Sequence, residues 1–230
     1  MKRYQIAGLQ VDMEVGGRTF IQAQPYECEP LGPADLTIRC DVKKVMEANP
    51  EMKNADMAEY MGTGTRFAHR IMEFDAFQLH SSAVMLDGKA YLFSAPSGTG
   101  KSTHTEKWCR LFGAVLLNDD KPVIRCQQGT WIAYGTPWSG KHDLSVPTGV
   151  PLGAIAFLQR GEENAIRRIE PNEAVIHMIS QAPRYLNAEQ MTLQLDLLDR
   201  LLQKIPVFLL TCRNDDEAAL LSHENMRCGQ

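Results

Sequence analysis

The sequence predicts an α/β fold with a mixed, partly antiparallel sheet, flanking helices and a phosphate loop. Three observations carry this. Ser94-Ala95-Pro96-Ser97-Gly98-Thr99-Gly100-Lys101-Ser102-Thr103 is a glycine-rich turn between an apolar run at 90–93 and a helical pattern. Ahead of it, Asp87-Gly88-Lys89 separates that run from another at 83–86, and Asp-Gly between apolar runs signals a tight hairpin. Beyond it, a third run at 114–117 ends in Asn118-Asp119-Asp120-Lys121-Pro122. The hairpin makes the strand that feeds the loop antiparallel to its predecessor, unlike sheets built from crossover units.

Taken in order, residues 1–54 read as short strands and turns. Residues 4–11 alternate in part, Gly16-Gly17 marks a turn, and Leu36, Ile38 and Cys40 suit a half-buried strand. A helical pattern opens at Asp56 through Met57, Tyr60 and Met61 and continues at Phe67, Ile71 and Phe74, with an interruption expected at Gly62-Thr63-Gly64-Thr65. Residues 102–112 read as helix with Gly113 just past its end, where a left-handed residue is favoured. The run at 114–117 reads as a buried strand delivering acids to its C-terminal edge, the side on which ligands sit in open α/β sheets. Residues 123–126 and 131–134 form a second hairpin about Gln128-Gly129, followed by a polar loop at 135–143. After a strand at 152–158 and a helix at 172–181, residues 189–204 are the clearest amphipathic helix, with Met191, Leu195, Leu198 and Leu202 on one stripe and Pro206 beyond. A strand at 207–210 and a last helix, opened by Asn214-Asp215-Asp216-Glu217 in capping-box form, complete the chain.

No repeat or linker-like tract divides the sequence, so one domain over 1–230 is expected. Its parts are N-terminal strands and a helix (1–78), a nucleotide-binding core (79–160), and C-terminal helices with a strand (161–230). The 230 residues are 44% hydrophobic, ample for a packed core. A net charge of −4 offers no basic field for nucleic acid or an anionic membrane. No apolar run approaches spanning length and the N-terminus lacks a signal-peptide core, so a cytoplasmic location is expected. Cys28, Cys40, Cys109, Cys126, Cys212 and Cys228 show no Cys-x-x-Cys spacing and read as thiols of a reducing compartment.

The chemistry gathers at the loop. Backbone N–H groups of Ser97, Gly98, Thr99, Gly100, Lys101, Ser102 and Thr103, with the positive end of the following helix, suit a polyphosphate. Lys101 suits the outer phosphates and the Ser102 hydroxyl a Mg²⁺ ion. Ala95 stands where the usual motif has its first glycine, which costs nothing if φ is negative there. Of Asp119 and Asp120, one can hold the metal with Ser102 while the other takes a proton from an acceptor hydroxyl. Lys141 and Arg160 follow strand ends and suit stabilisation of transferring charge. Trp138 suits either stacking on a ligand or packing at the rim. His80 enters the hairpin that leads to the loop, whereas His104, taken singly, reads as structural.

Residues 97–103 resemble the phosphate loop of the HPr kinase/phosphorylase and phosphoenolpyruvate carboxykinase superfamily. Leu79-His80-Ser81-Ser82 resembles its His-bearing segment, and Asn118-Asp119-Asp120-Lys121 its Ala-Asp-Asp-Arg element. The resemblance covers residues 79–160. It implies the fold of an HPr kinase C-terminal domain, use of ATP and Mg²⁺, Asp119 as base and Asp120 as metal ligand. Uncharacterised HPr-kinase-like proteins share the Gly135-Thr136-Pro137-Trp138-Ser139-Gly140-Lys141 element, and related kinases phosphorylate a peptide serine. The Glu-Ile-Arg-Gly signature of true HPr kinases is absent, which separates this chain from HPr as substrate. The expectation is a kinase in which Asp119, Lys101, Lys141 and His80 serve catalysis and Ser102 and Asp120 the metal. The acceptor is the hydroxyl of a peptide, protein or small molecule. Nucleotide-responsive partner binding without transfer, a small-molecule kinase and homo-oligomerisation stay open.

Overall fold

The computed structural model describes residues 1–140, 142–183 and 187–228. It opens with a hairpin of β1 (Lys2–Ile6) and β2 (Leu9–Met13), and β3 (Leu36–Ile38) adds to β2 in parallel. The turn residues Ala7 and Gly8 both have positive φ (52° and 72°), the backbone that matches strand twist across a two-residue loop. The alternation expected across 4–11 therefore breaks at the turn. Buried positions are even before it (Tyr4, Ile6) and odd after it (Leu9, Val11, Met13). Three helices accompany these strands, where a single helix was expected: α1 (Gly17–Ala23), α2 (Val42–Ala48) and α3 (Ala55–Arg70). Gly16-Gly17 begins α1 rather than forming a reverse turn.

α3 also runs unbroken through Gly62-Thr63-Gly64-Thr65. Its glycines allow close approach. A Cβ on Gly62 would lie 2.4 Å from Cys40 Sγ, and one on Gly64 would lie 2.8 Å from the Trp138 ring. Trp138 is buried there, 4.7 Å from Phe67 between ring centroids, so it packs in the core instead of stacking on a ligand.

The larger sheet has two limbs joined by β10 (Gly149–Arg160). Along Leu152–Arg160 this strand runs parallel to β6 (Lys89–Ser94) on one side and β12 (Val207–Cys212) on the other. β5 (Ser81–Leu86) and β7 (Val115–Asn118) extend the sheet beyond β6, both joined antiparallel, and β11 (Ala165–Arg168) closes the other edge. At its start β10 turns to pair antiparallel with β9 (Thr130–Tyr134), which continues through β8 (Val123–Gln127) to β4 (Ala76–Gln78). The loop-feeding strand β6 is thus antiparallel to β5 and parallel to β10, as the Asp-Gly hairpin predicts.

Strand alternation distributes the core. Tyr91, Phe93, Ala154, Ala156, Phe208 and Leu210 face α4 (Lys101–Phe112) and α7 (Asp216–Cys228). Leu92, Ile155, Phe157 and Val207 face α5 (Pro171–Gln181) and α6 (Ala188–Leu202). Three expectations shift in detail. β7 is an edge strand with Val115 54% exposed, because only β5 flanks it in the ladder. α6 buries Gln194, Leu197, Leu198 and Leu201 while Leu195 is exposed, since its dense leucines fit several stripes and packing chooses one. The last helix is capped by Asp215, whose Oδ1 accepts from Ala218 N at 3.0 Å. No helix among the described residues is long and apolar enough to cross a membrane.

Candidate active site

The buried strand β6 leads into the loop. Ala95 is itself buried against Trp108 and Ala154 and is not among the residues of positive φ, so its Cβ is accommodated in the core. Left-handed backbone occurs at Gly98 (φ 79°) and Gly100 (φ 118°), and α4 starts at Lys101. Gly100 is also a close approach: a Cβ there would meet the Asn214 amide at 2.4 Å. Lys101 is buried and its Nζ donates to the Ala95 carbonyl at 2.8 Å. Burial lowers the pKa of this ammonium, against the opposing pull of Asp120 and Asp119.

Asn118 bends the chain where β7 ends. Its Oδ1 accepts from Asp120 N (2.9 Å) and Lys121 N (2.7 Å), while its Nδ2 donates to the Thr136 carbonyl (3.0 Å) and Ser145 Oγ (3.1 Å). Neighbouring residues on a strand point to opposite faces, and this side-chain-made turn lets both aspartates line one cleft. Asp119 is nearly buried, and Ser82 donates to its Oδ1 at 3.0 Å. Thr105 Oγ1 lies 3.0 Å from Ser82 Oγ and completes a hydroxyl pair behind the carboxylate. Asp119 Oδ2 has no hydrogen-bond partner among the described residues.

Asp120 faces His80, with Nε2 to Oδ1 at 3.3 Å, and Lys121 at 3.9 Å. Burial works against its charge, but the His80 bond, Lys121 and Lys101 outweigh burial and hold its pKa below the ordinary aspartate value. His80 is fixed in turn by Gln181 at the end of α5, through Nδ1 to Oε1 (3.1 Å) and backbone N to O (2.9 Å). A Cβ on Gly140 would lie 2.8 Å from Asp120 Cβ, so the backbone at Gly140 packs directly against this aspartate.

These groups line one cleft of about 290 Å³: His80, Ser97, Gly98, Gly100, Lys101, Ser102, Thr103, Asp119 and Asp120, joined by Gly140 and His142. Thr99 instead lines an adjoining cleft with Arg213 and Asn214. Arg160 stands there too and donates to the Gly98 carbonyl at 2.6 Å, bracing the loop. Lys141 lies outside the described residues. His104 is fully buried, 4.6 Å from the Phe93 ring and bonded to Ser222, apart from the cleft. Sequence reasoning gave no role to Asn118, Thr105, Gln181 or His142. Asn ahead of Asp-Asp is a turn signal that points to the first, whereas the others come from distant segments.

The donor set suits particular ligands. Lys101 uses one of three N–H donors, and the loop and helix start add backbone donors, as a polyphosphate requires. No group of three or more His, Cys, Asp or Glu among the described residues can hold a metal by itself. An ionised Asp120 with the Ser102 hydroxyl is a hard-oxygen pair that fits Mg²⁺ shared with a substrate's phosphates.

An α/β chain with a mixed sheet, whose loop–helix junction faces two carboxylates, is thereby defined. Residues 38–215 match the family described as SynChlorMet cassette protein ScmC, and the chain belongs to that family. Among solved structures, the chain is similar to the Hpr(Ser) kinase/phosphatase from Coxiella burnetii. That match has 13% identity and a TM-score of 0.40 and covers 66% of this chain and 96% of that one. No curated protein matches the sequence.

Proposed function

We propose that this protein transfers the γ-phosphoryl group of ATP, with Mg²⁺, to a hydroxyl of a peptide, protein or small molecule. The observation that carries the reading is the convergence of Asp119 and Asp120 with Lys101 and Ser102 in one cleft. Phosphoryl transfer asks a protein mainly for positioning and charge stabilisation, and each part has a candidate here. The backbone of Ser97, Gly98 and residues 100–103 holds the phosphates, and Lys101 exchanges its Ala95 carbonyl for a phosphate oxygen. Asp120 and Ser102 hold Mg²⁺, which when bound neutralises phosphate charge. Asp119 takes the acceptor proton on Oδ2, while Ser82 and Thr105 keep the carboxylate oriented through Oδ1. His80 positions Asp120 and ties it to α5.

The test is incubation with Mg·ATP labelled at the γ-phosphate and a panel of hydroxyl-bearing peptides and small molecules. Asp119→Asn keeps the Ser82 contact isosteric and is expected to lower transfer by about 10²- to 10⁴-fold with nucleotide affinity little changed. Transfer that survives unchanged overturns the base assignment. Nucleotide binding with no transfer to any acceptor would indicate a nucleotide-responsive binding protein instead.

A further inference from the structure

A second cavity, of about 380 Å³, meets the candidate active site at His80, which lines both. Its walls come from three directions: Gly64, Thr65 and Ala68 on α3, Gln78 and Lys121 at the end of the β4–β8 limb, and Gln181 to Pro183 after α5. Among the described residues no aspartate or glutamate lines it. Its polar side chains are Thr65, His69, Gln78, His80, Lys121 and Gln181. Gln78 is 3% exposed, and its amide nitrogen is buried without a hydrogen-bond partner. The other amide on this wall is already engaged, Gln181 bonding His80 through oxygen and Ser180 through nitrogen (3.3 Å). Lys121 supplies a cation, 5.9 Å above the Tyr60 ring and 3.9 Å from Asp120.

An unmade hydrogen bond at a buried amide costs stability, and Lys121, which lines the same cavity and meets the Asp120 carboxylate only at 3.9 Å, keeps ammonium donors for an anion. We infer that this cavity binds a carboxylate carried by the phosphoryl acceptor, placing the acceptor's hydroxyl beside Asp119. Lys121 and the Gln78 amide take the carboxylate oxygens, and His80 stands between the two halves of the substrate. The cavity's position across His80 from the aspartates lets one molecule bridge both. The identity of the ligand as an acceptor rests on the phosphoryl-transfer reading; its carboxylate does not. The carboxylate comes either from a small hydroxy acid or from an acidic residue beside the hydroxyl in a peptide.

The test follows the Gln78 side-chain amide signals by NMR in the isotope-labelled full chain, assigned by their loss in Gln78→Leu. L-serine is compared with L-serinamide, and a short serine peptide bearing an adjacent Asp with its Asn counterpart. Movement with L-serine and not serinamide marks a small hydroxy acid; movement only with the Asp peptide marks a peptide source. Either supports the site. If neither carboxylate probe moves the signals at millimolar concentration, the proposal is overturned. In the transfer assay, Gln78→Leu is expected to raise the acceptor KM about tenfold. Thr65→Trp, at an exposed position on the cavity wall, should do likewise, with Mg·ATP affinity within twofold of the parent in both. Unchanged KM in both variants also overturns the proposal. Signals that move in a protein showing no transfer would retain the carboxylate site and remove the kinase reading, whereas transfer without movement does the reverse.

Discussion

His104 lies one turn into α4, sealed from solvent, and burial, helped by Lys107, brings its pKa down to about 4 from 6.5. The folded protein therefore refuses a proton that the unfolded chain accepts below 6.5. Stability contributed by neutral His104 is complete above that value and is lost as pH falls toward 4, up to roughly 3 kcal/mol. Urea unfolding at pH 7 and pH 4.5 should show this loss, and His104→Gln should flatten this component of the pH dependence. A stability that holds steady across that interval in the parent would contradict the assignment. At this scale the sequence was legible where chemistry is concentrated in a local motif. Lys101, Ser102, Asp119 and Asp120 lie within a helix and a strand of one another and reach a common cleft. Ser82, Thr105 and Gln181, which orient the acids, come from a neighbouring strand, the middle of a helix and the end of another. Ser82 belongs to the segment at 79–82 noted in the sequence, but nothing local ties its hydroxyl, Thr105 or Gln181 to the acids.

Elements were legible wherever a turn announced itself. Asp87-Gly88 and Gln128-Gly129 both adopt the paired positive φ of a two-residue hairpin turn, as their composition predicts. Ala7-Gly8 does the same with a weaker signal, since alanine gives no warning of φ 52°. Glycine misleads in α3, where its service is contact between surfaces. Replacing Gly by Ala inside a helix ordinarily adds stability. Gly64→Ala should instead destabilise the protein by about 1–3 kcal/mol, because the new methyl group meets the Trp138 ring. Met61→Ala, on an exposed position of the same helix, should lie within about 0.5 kcal/mol of the parent in the same unfolding assay. Equal effects at both positions would refute a packing role for Gly64. The edge placement of β7 was not readable either, because an apolar run records burial by all neighbours and not how many strands flank it.

On the scale of the molecule, the hairpin ahead of the loop foretold a mixed sheet, but nothing local foretold that β10 would serve both of its limbs. β10 gives its first residues to β9 and the remainder to β6 and β12. The sheet cannot part along either limb without freeing this strand, so its amides should exchange with solvent only when the whole structure opens. Those of Ile155, Ala156 and Phe157, buried on both faces, should be the slowest in the chain. α2 has no buried residue and should exchange by local fraying. Low urea should therefore speed exchange in β10 in step with global stability while leaving α2 almost unaffected. Fast exchange in β10 at full stability would mean that the two limbs open independently.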